Sequence, residues 1–296
     1  MKSGFVSIIG RPNVGKSTLL NAIIGKKIAI TSDTAQTTRN MIQGIYNDKD
    51  LQIVFVDTPG IHKPKHKLGT MLNEQAYFSM NDVDVILFLV SANEKFGTGD
   101  KFVLDKLKEV NKPIILVINK IDKIKYDELL PMINEYKDYY PFKEIVPISA
   151  INNKNIKELI DCISNYLTDN IKYYDDNIIT NVSTDFSISE LIREKVLYFT
   201  YEEIPHSVSC IVDNIEEDKN NVSIGASLIV DRDNLKKILI GKNGSMIKKI
   251  GINAREDIEK LLNKKVYLDL RVKVIENWRD KESFLSKELG LNNFNE

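Results

Sequence analysis

The chain is 296 residues long, 43% hydrophobic and 28% charged, with a formal net charge of −1. This composition supports packed cores and excludes a disordered chain; its near-neutral balance gives no global field toward a polyanion, so any nucleic-acid site must come from local clustering of charge. Its two cysteines, Cys162 and Cys210, match neither a zinc motif nor a disulfide framework, and a reducing compartment is expected.

The length suggests two domains. Across residues 1–170, short apolar runs at 5–9, 42–46, 51–56, 85–90, 114–118 and 145–148 read as strands, and segments such as 16–24, 100–110 and 155–167 as helices. Runs rich in Val and Ile, such as Val85-Ile86-Leu87-Phe88-Leu89-Val90, fit strands buried on both faces. Strands alternating with helices predict an α/β unit with a mostly parallel six-stranded sheet covered on both sides. The turn-rich Asn47-Asp48-Lys49-Asp50 predicts an antiparallel hairpin between strands 42–46 and 51–56. There is no signal-peptide pattern at the N-terminus, and the apolar run 83–90 is far too short to span a bilayer, so a cytoplasmic protein is expected.

Residues 171–184 are polar, rich in Asn and Asp, and read as a linker. Residues 185–296 form a second, smaller α+β unit: helix 188–200, strands 208–215 and 222–230, helices 235–240 and 245–262, strand 266–274, and a closing helix 280–289.

Gly10-Arg11-Pro12-Asn13-Val14-Gly15-Lys16-Ser17 fits G-x-x-x-x-G-K-[ST], between a predicted strand and a predicted helix. The glycines let backbone N–H groups form a nest for phosphate oxygens. Lys16 brings a point charge to the β and γ phosphates, Ser17 a hydroxyl for Mg²⁺, and the helix its positive end. Thr18 follows and is counted with the loop. Asp57-Thr58-Pro59-Gly60 follows the strand at 51–56; Asp57 is placed to hold Mg²⁺ through water, and the Gly60 N–H to meet the γ-phosphate.

Asn119-Lys120-Ile121-Asp122 follows the strand at 114–118. Asp122 has the acceptors to take two hydrogen bonds from the guanine N1–H and 2-amino group, a pair that adenine lacks, for a discrimination of roughly 10²–10⁴-fold. Asn119 would tie this loop to the phosphate loop, the Lys120 stem would cover the base, and Ser149-Ala150 would offer a backbone N–H to the guanine O6. The hydroxyl-rich Ala35-Gln36-Thr37-Thr38-Arg39 reads as a switch segment in which one Thr reaches Mg²⁺. After the Asp57–Gly60 motif many GTPases carry a Gln that orients water; here Ile61 stands there, followed by His62, which reads as a flexible surface side chain. Slow turnover, on the order of 10⁻⁴–10⁻² s⁻¹, is expected.

In the second unit, Gly241-Lys242-Asn243-Gly244 between two predicted helices matches the clamp that KH modules place on a single-stranded backbone, and the element order α-β-β-α-α-β agrees. Residues 232–273 carry 12 Lys+Arg against 5 Asp+Glu, with Lys242, Lys248 and Lys249 at or beside the clamp.

On these motifs the chain resembles the Era family of bacterial P-loop GTPases with a C-terminal type II KH domain, over essentially its full length. Ile192-Arg193-Glu194-Lys195, Glu203-Ile204-Pro205-His206-Ser207, Asp269-Leu270 and Asn277-Trp278-Arg279 add to the resemblance. It implies GTP/GDP and Mg²⁺ as ligands, binding to the 3′ end of 16S rRNA, a role in 30S ribosomal subunit assembly, and peripheral association with the inner membrane; a monomer is expected. It selects Thr38 over Thr37 as the Mg²⁺ ligand, which leaves Lys16, Thr38 and Gly60 as the expected catalytic groups. It matches Asn13 to a residue that places K⁺ in potassium-activated relatives, and Ile61 to a subclass with an apolar residue in place of Gln. Asn243 stands where the family often has Gly, and the linker lacks the usual acidic-Pro pattern. A competing reading is a regulatory GTPase whose second domain docks a protein or membrane partner. A neighbouring tRNA-modifying family would need a C-terminal Cys, whereas the last here is Cys210.

Overall fold

In the strand Val85–Ser91, Val85, Leu87 and Leu89 pack to one side and Ile86, Phe88 and Val90 to the other, all fully buried. A strand apolar on both faces has to lie inside a sheet covered twice. The computed structural model, which describes residues 1–32, 34 and 37–291, places it there. In chain order the elements are β1 (Lys2–Ile9), α1 (Lys16–Ile24), β2 (Ile42–Asp48), β3 (Leu51–Asp57), α2 (Lys67–Asn81), β4 (Val85–Ser91), α3 (Thr98–Leu107), β5 (Ile114–Asn119), α4 (Tyr126–Tyr139), β6 (Glu144–Pro147) and α5 (Ile156–Ser164). The sheet runs β2-β3-β1-β4-β5-β6, parallel throughout except for the β2–β3 hairpin. Helices α1 and α5 cover one face, and α2, α3 and α4 the other.

Two helices end earlier than their apolar pattern suggests. The pattern runs to Val110 and Leu167, but α3 stops at Leu107 and α5 at Ser164. Val110 and Leu167 still pack on the core, so the periodicity continues while the backbone has already turned, through Val110 N–H to the Leu107 carbonyl at 3.2 Å and Tyr166 N–H to the Ile163 carbonyl at 3.0 Å.

The second unit comprises α6 (Thr184–Phe199), the one-turn α7 (Ile204–Ser207), β7 (Val208–Glu217), β8 (Asn221–Val230), α8 (Asp233–Ile240), α9 (Ser245–Leu262), β9 (Lys265–Val274) and α10 (Glu282–Leu289). Ser183 caps α6 by accepting the Phe186 N–H at 3.2 Å. Its sheet runs β7-β8-β9, with β7–β8 antiparallel and β8–β9 parallel, and α6, α8 and α9 fill one face. Behind the sheet, Ile229, Trp278, Leu285 and Leu291 form an apolar cluster with Leu68, Met71 and Leu72 of α2, so the two units share a dry contact.

The polar segment at 171–184 is not a free linker. β2 is an edge strand whose outer N–H and C=O groups need partners, and this segment supplies them. Ile45 N–H donates to the Ile179 carbonyl at 2.9 Å, and the Thr180 hydroxyl donates to the Gln43 carbonyl at 2.7 Å. Buried Gln52 accepts the N–H groups of Tyr173 at 2.7 Å and Tyr174 at 3.0 Å, and donates to the Tyr174 carbonyl at 2.8 Å. Gln52→Leu leaves these backbone groups without a partner and is expected to cost about 1–3 kcal/mol and to open 171–179 to limited proteolysis. An unchanged denaturation midpoint with an unchanged digestion pattern would refute the docked segment.

Candidate nucleotide site and nucleic-acid interface

The carboxyl ends of β3 and β1 lie side by side, β5 follows one strand further on across β4, and each of the three leads into one of the predicted motifs. The Ile8↔Asp57 register of β1 and β3 brings the phosphate loop against Asp57. Gly15, at the start of α1, has φ +99°, and a Cβ there would lie 2.4 Å from the Asn119 side-chain nitrogen, so only glycine permits both the turn and the approach.

Lys16 is 6% exposed, and its ammonium donates to the carbonyls of Arg11 at 2.9 Å and Gly10 at 3.3 Å. Burial pulls its pKa down to about 8, against the pull of Asp57. Asp57 is fully buried; burial pushes its carboxyl up to about 6, opposed by Lys16 and by hydrogen bonds from Ser17 and Thr38. The Ser17 hydroxyl donates to Asp57 Oδ2 at 2.6 Å, and Thr38 Oγ1 lies 2.7 Å from Ser17 Oγ and 3.4 Å from Asp57 Oδ2. Asp57 Oδ1 is buried without a hydrogen-bond partner among the described residues. Two hydroxyls and a carboxylate with one unused oxygen make a hard oxygen set that fits Mg²⁺ and its waters. A pocket opens over them, walled by Asn13, Gly15 and Thr18 on one side and Thr31, Ser32 and Thr37 on the other.

Asn119 joins three segments. Its amide donates to the Val14 carbonyl at 3.0 Å, and its oxygen accepts the N–H groups of Lys120 at 2.8 Å and Ala150 at 3.0 Å. Lys120, left-handed at φ 64°, extends its ammonium to the Asn13 carbonyl at 2.6 Å. The Ser149 hydroxyl donates to Asp122 Oδ1 at 2.5 Å, orienting that carboxylate.

Other expected site residues turn their side chains elsewhere. Arg11 pairs with Glu94 at 2.7 Å and Asp100 at 2.8 Å, toward α3. Thr58 donates to the Ile8 carbonyl at 2.9 Å, and Val14 lies in the core; at the site these three offer backbone only. Pro12 packs against Gly60, where a Cβ would come within 2.7 Å of the Pro12 nitrogen. Ile61 is buried in the apolar cluster beneath α2 and α3. His62 is not a flexible surface side chain: its Nδ1 lies 2.9 Å from the Gly60 carbonyl oxygen, and its backbone pairs with Asn73 in both directions at 3.3 and 2.7 Å. Of the switch segment, Ala35 and Gln36 lie outside the described residues.

The clamp connects α8 to α9. Gly241 has φ +74°, and a Cβ there would meet the Met246 nitrogen at 2.8 Å. Asn243 adopts φ 52°, which Asn tolerates better than other side chains, so the departure from Gly preserves the loop. Lys242 and Lys248 are exposed. Lys249 is exposed as well, with its ammonium 4.2 Å from the centre of the Phe199 ring of α6. Sequence reasoning missed a groove beside the clamp, between Ile247, Gly251, Ile252 and Arg255 of α9 and Tyr267, Leu268 and Leu270 of β9. Its signal was the i, i+4, i+8 stripe Ile247–Gly251–Arg255. An apolar floor with cationic and aromatic edges suits unstacked bases.

Comparisons with known proteins agree with this division. The family described as 50S ribosome-binding GTPase matches residues 5–120, and the KH domain family matches residues 203–279. A crystal structure of Era in complex with MgGDPNP and nucleotides 1506–1542 of 16S ribosomal RNA is 41% identical, with a TM-score of 0.94, and the match covers 96% of this chain and 97% of that one. An Era variant from Aquifex aeolicus bound to GDP·AlF4⁻ is also 41% identical, with a TM-score of 0.93 and coverage of 96% and 98%.

Asp122→Asn is expected to move base preference from guanine toward xanthine nucleotides by roughly 10²-fold or more, measured by competition binding. A retained preference for guanine refutes Asp122 as the base-reading group.

Proposed function

The chain belongs to the Era family of GTPases, and from that premise we propose that it binds and hydrolyses GTP as a switch on an RNA clamp that engages the 3′ region of 16S rRNA and assists small-subunit assembly. The observation that carries the reading is the joint presence of a buried Lys16–Asp57–Ser17–Thr38 cluster and a Gly-x-x-Gly loop with an apolar groove beside it.

In this reading Lys16 exchanges the carbonyls of Gly10 and Arg11 for β- and γ-phosphate oxygens. Ser17, Thr38 and Asp57 would hold Mg²⁺, which would neutralise charge gathering on the phosphates. The Gly60 N–H takes a γ-phosphate oxygen, Asp122 reads the guanine edge, and the Ala150 N–H meets its O6. Ile61, directly after Gly60, is apolar and buried and offers no group to orient the attacking water. Unassisted hydrolysis is therefore slow, on the order of 10⁻⁴–10⁻² s⁻¹. Asn13 is the residue for potassium: turnover in KCl is expected to exceed that in NaCl, and equal rates would remove the assignment.

The domains of this reading are 1–170, with 171–184 between, and 185–296. Among the described residues no helix is long and apolar enough to cross a membrane. The resemblance to the family is what supports a cytoplasmic monomer with peripheral contact at the inner membrane; cell fractionation tests the last part.

RNA binding is tested with an oligonucleotide of the 16S rRNA 3′ end. Replacing both Lys242 and Lys248 with Ala removes two phosphate contacts, so affinity should fall and the log–log salt slope should shrink by about 1.4. Unchanged affinity and slope would favour a second domain that docks a protein instead.

A further inference from the structure

Thr38 already lies against Ser17 and Asp57; the Thr37 hydroxyl is held within the switch by Ser32 and the Thr34 carbonyl, and the Thr37 carbonyl and the Arg39 guanidinium are held by the second unit. The Arg193 guanidinium of α6 donates to the Thr37 carbonyl. The Arg39 guanidinium donates to the Val208 carbonyl at 2.7 Å and lies 5.5 Å from the Trp278 ring centre. Arg193 is 1% exposed, and its Nε and Nη2 fork onto the two oxygens of Glu190, both at 2.7 Å. That bidentate pair fixes the guanidinium plane, so the donor reaching Thr37 has little freedom. One residue on, Glu194 accepts the Thr31 N–H at 3.1 Å and pairs with Lys27 at 2.6 Å, holding the other root of the switch.

The same helix touches the clamp helix. Lys195 pairs with Asp257 of α9, and Phe199 lies beneath Lys249, five residues after Gly244. A displacement of α9 by RNA therefore bears on α6, and α6 bears on the backbone either side of Thr38.

We propose that Arg193 is a positioning residue for the GTPase centre: through the Thr37 carbonyl it holds Thr38 in the metal-binding cluster, and it thereby links the RNA clamp to the nucleotide state. The inference rests on the reading of Ser17, Thr38 and Asp57 as the magnesium-binding groups. Coupling of this kind is reciprocal, so RNA must shift nucleotide preference by the factor that nucleotide shifts RNA affinity.

The test compares the full-length wild type with Arg193→Ala and Arg193→Lys. Affinities for a non-hydrolysable GTP analogue and for GDP are measured in Mg²⁺, with and without the 16S rRNA 3′-end oligonucleotide, alongside kcat and KM. Thr38 serves the triphosphate state alone. Arg193→Ala is therefore expected to weaken the analogue about tenfold, to lower kcat, to leave GDP affinity within about twofold, and to abolish the oligonucleotide's effect on the analogue-to-GDP ratio. Arg193→Lys, which keeps one donor without the fork, should fall between, and it carries the comparison if the Ala variant does not fold. Parallel losses for both nucleotides would mark a merely structural role and overturn the proposal, as would wild-type values throughout. A wild type that binds neither nucleotide would instead sink the functional reading itself.

Discussion

A fully buried carboxylate, Asp57, stands beside a buried ammonium, Lys16, and this pair constrains everything around it. Burial disfavours the charged form of each, and each supports the charge of the other. Such an arrangement survives only if the surrounding dipoles are fixed. The parallel register of β1 and β3 sets the two main chains, the carbonyls of Gly10 and Arg11 receive the ammonium, and the hydroxyls of Ser17 and Thr38 surround one carboxylate oxygen. The other oxygen has no hydrogen-bond partner among the described residues.

Legibility in the sequence followed the range of the interactions. The apolar run at 85–90 and the Asn47–Asp50 turn are local patterns, and the elements they imply are present, as are α1 and α9 with the expected bounds. The motif residues were readable because their chemistry is concentrated in a few consecutive positions, and the sheet brings Val14, Asn119 and Ala150 together at one carboxamide. Contacts between distant residues were not readable. Arg193 and Thr37 are 156 positions apart, and nothing in either neighbourhood announces the other. The base groove was half legible, since the α9 stripe is periodic but its β9 wall is known only from the parallel β8–β9 pairing. His62 looked free because a single histidine carries no local sign of the Gly60 carbonyl and Asn73 that engage it.

The contact between the two units divides by chemistry. Toward the switch it is polar and directional, with guanidinium groups on carbonyls and Glu194 on a backbone N–H. Toward α2 its centre is apolar, with Trp278 buried among leucines and its indole N–H donating to the Ser207 carbonyl at 3.1 Å, and its rim is polar, where Asp280 accepts the Lys67 N–H at 2.9 Å and meets His66 Nδ1 at 3.1 Å. Apolar packing tolerates sliding, whereas a short hydrogen bond breaks within a fraction of an ångström. The polar contacts are therefore the part sensitive to posture, and those made by Arg193 and Arg39 stand on either side of Thr38.

The docked segment along β2 sets how such postures interchange. A fourteen-residue coil, 171–184, would let its ends separate by roughly 20 Å, and the second unit would wander. Instead the Asn181 side chain still accepts the Gln43 N–H at 3.2 Å, and Ser183 already caps α6, so Val182 alone lies between sheet and helix. The effective tether is one residue long. The covalent constraint on any change of posture between the units therefore sits at the edge of the GTPase sheet, one residue ahead of the Ser183 cap of α6.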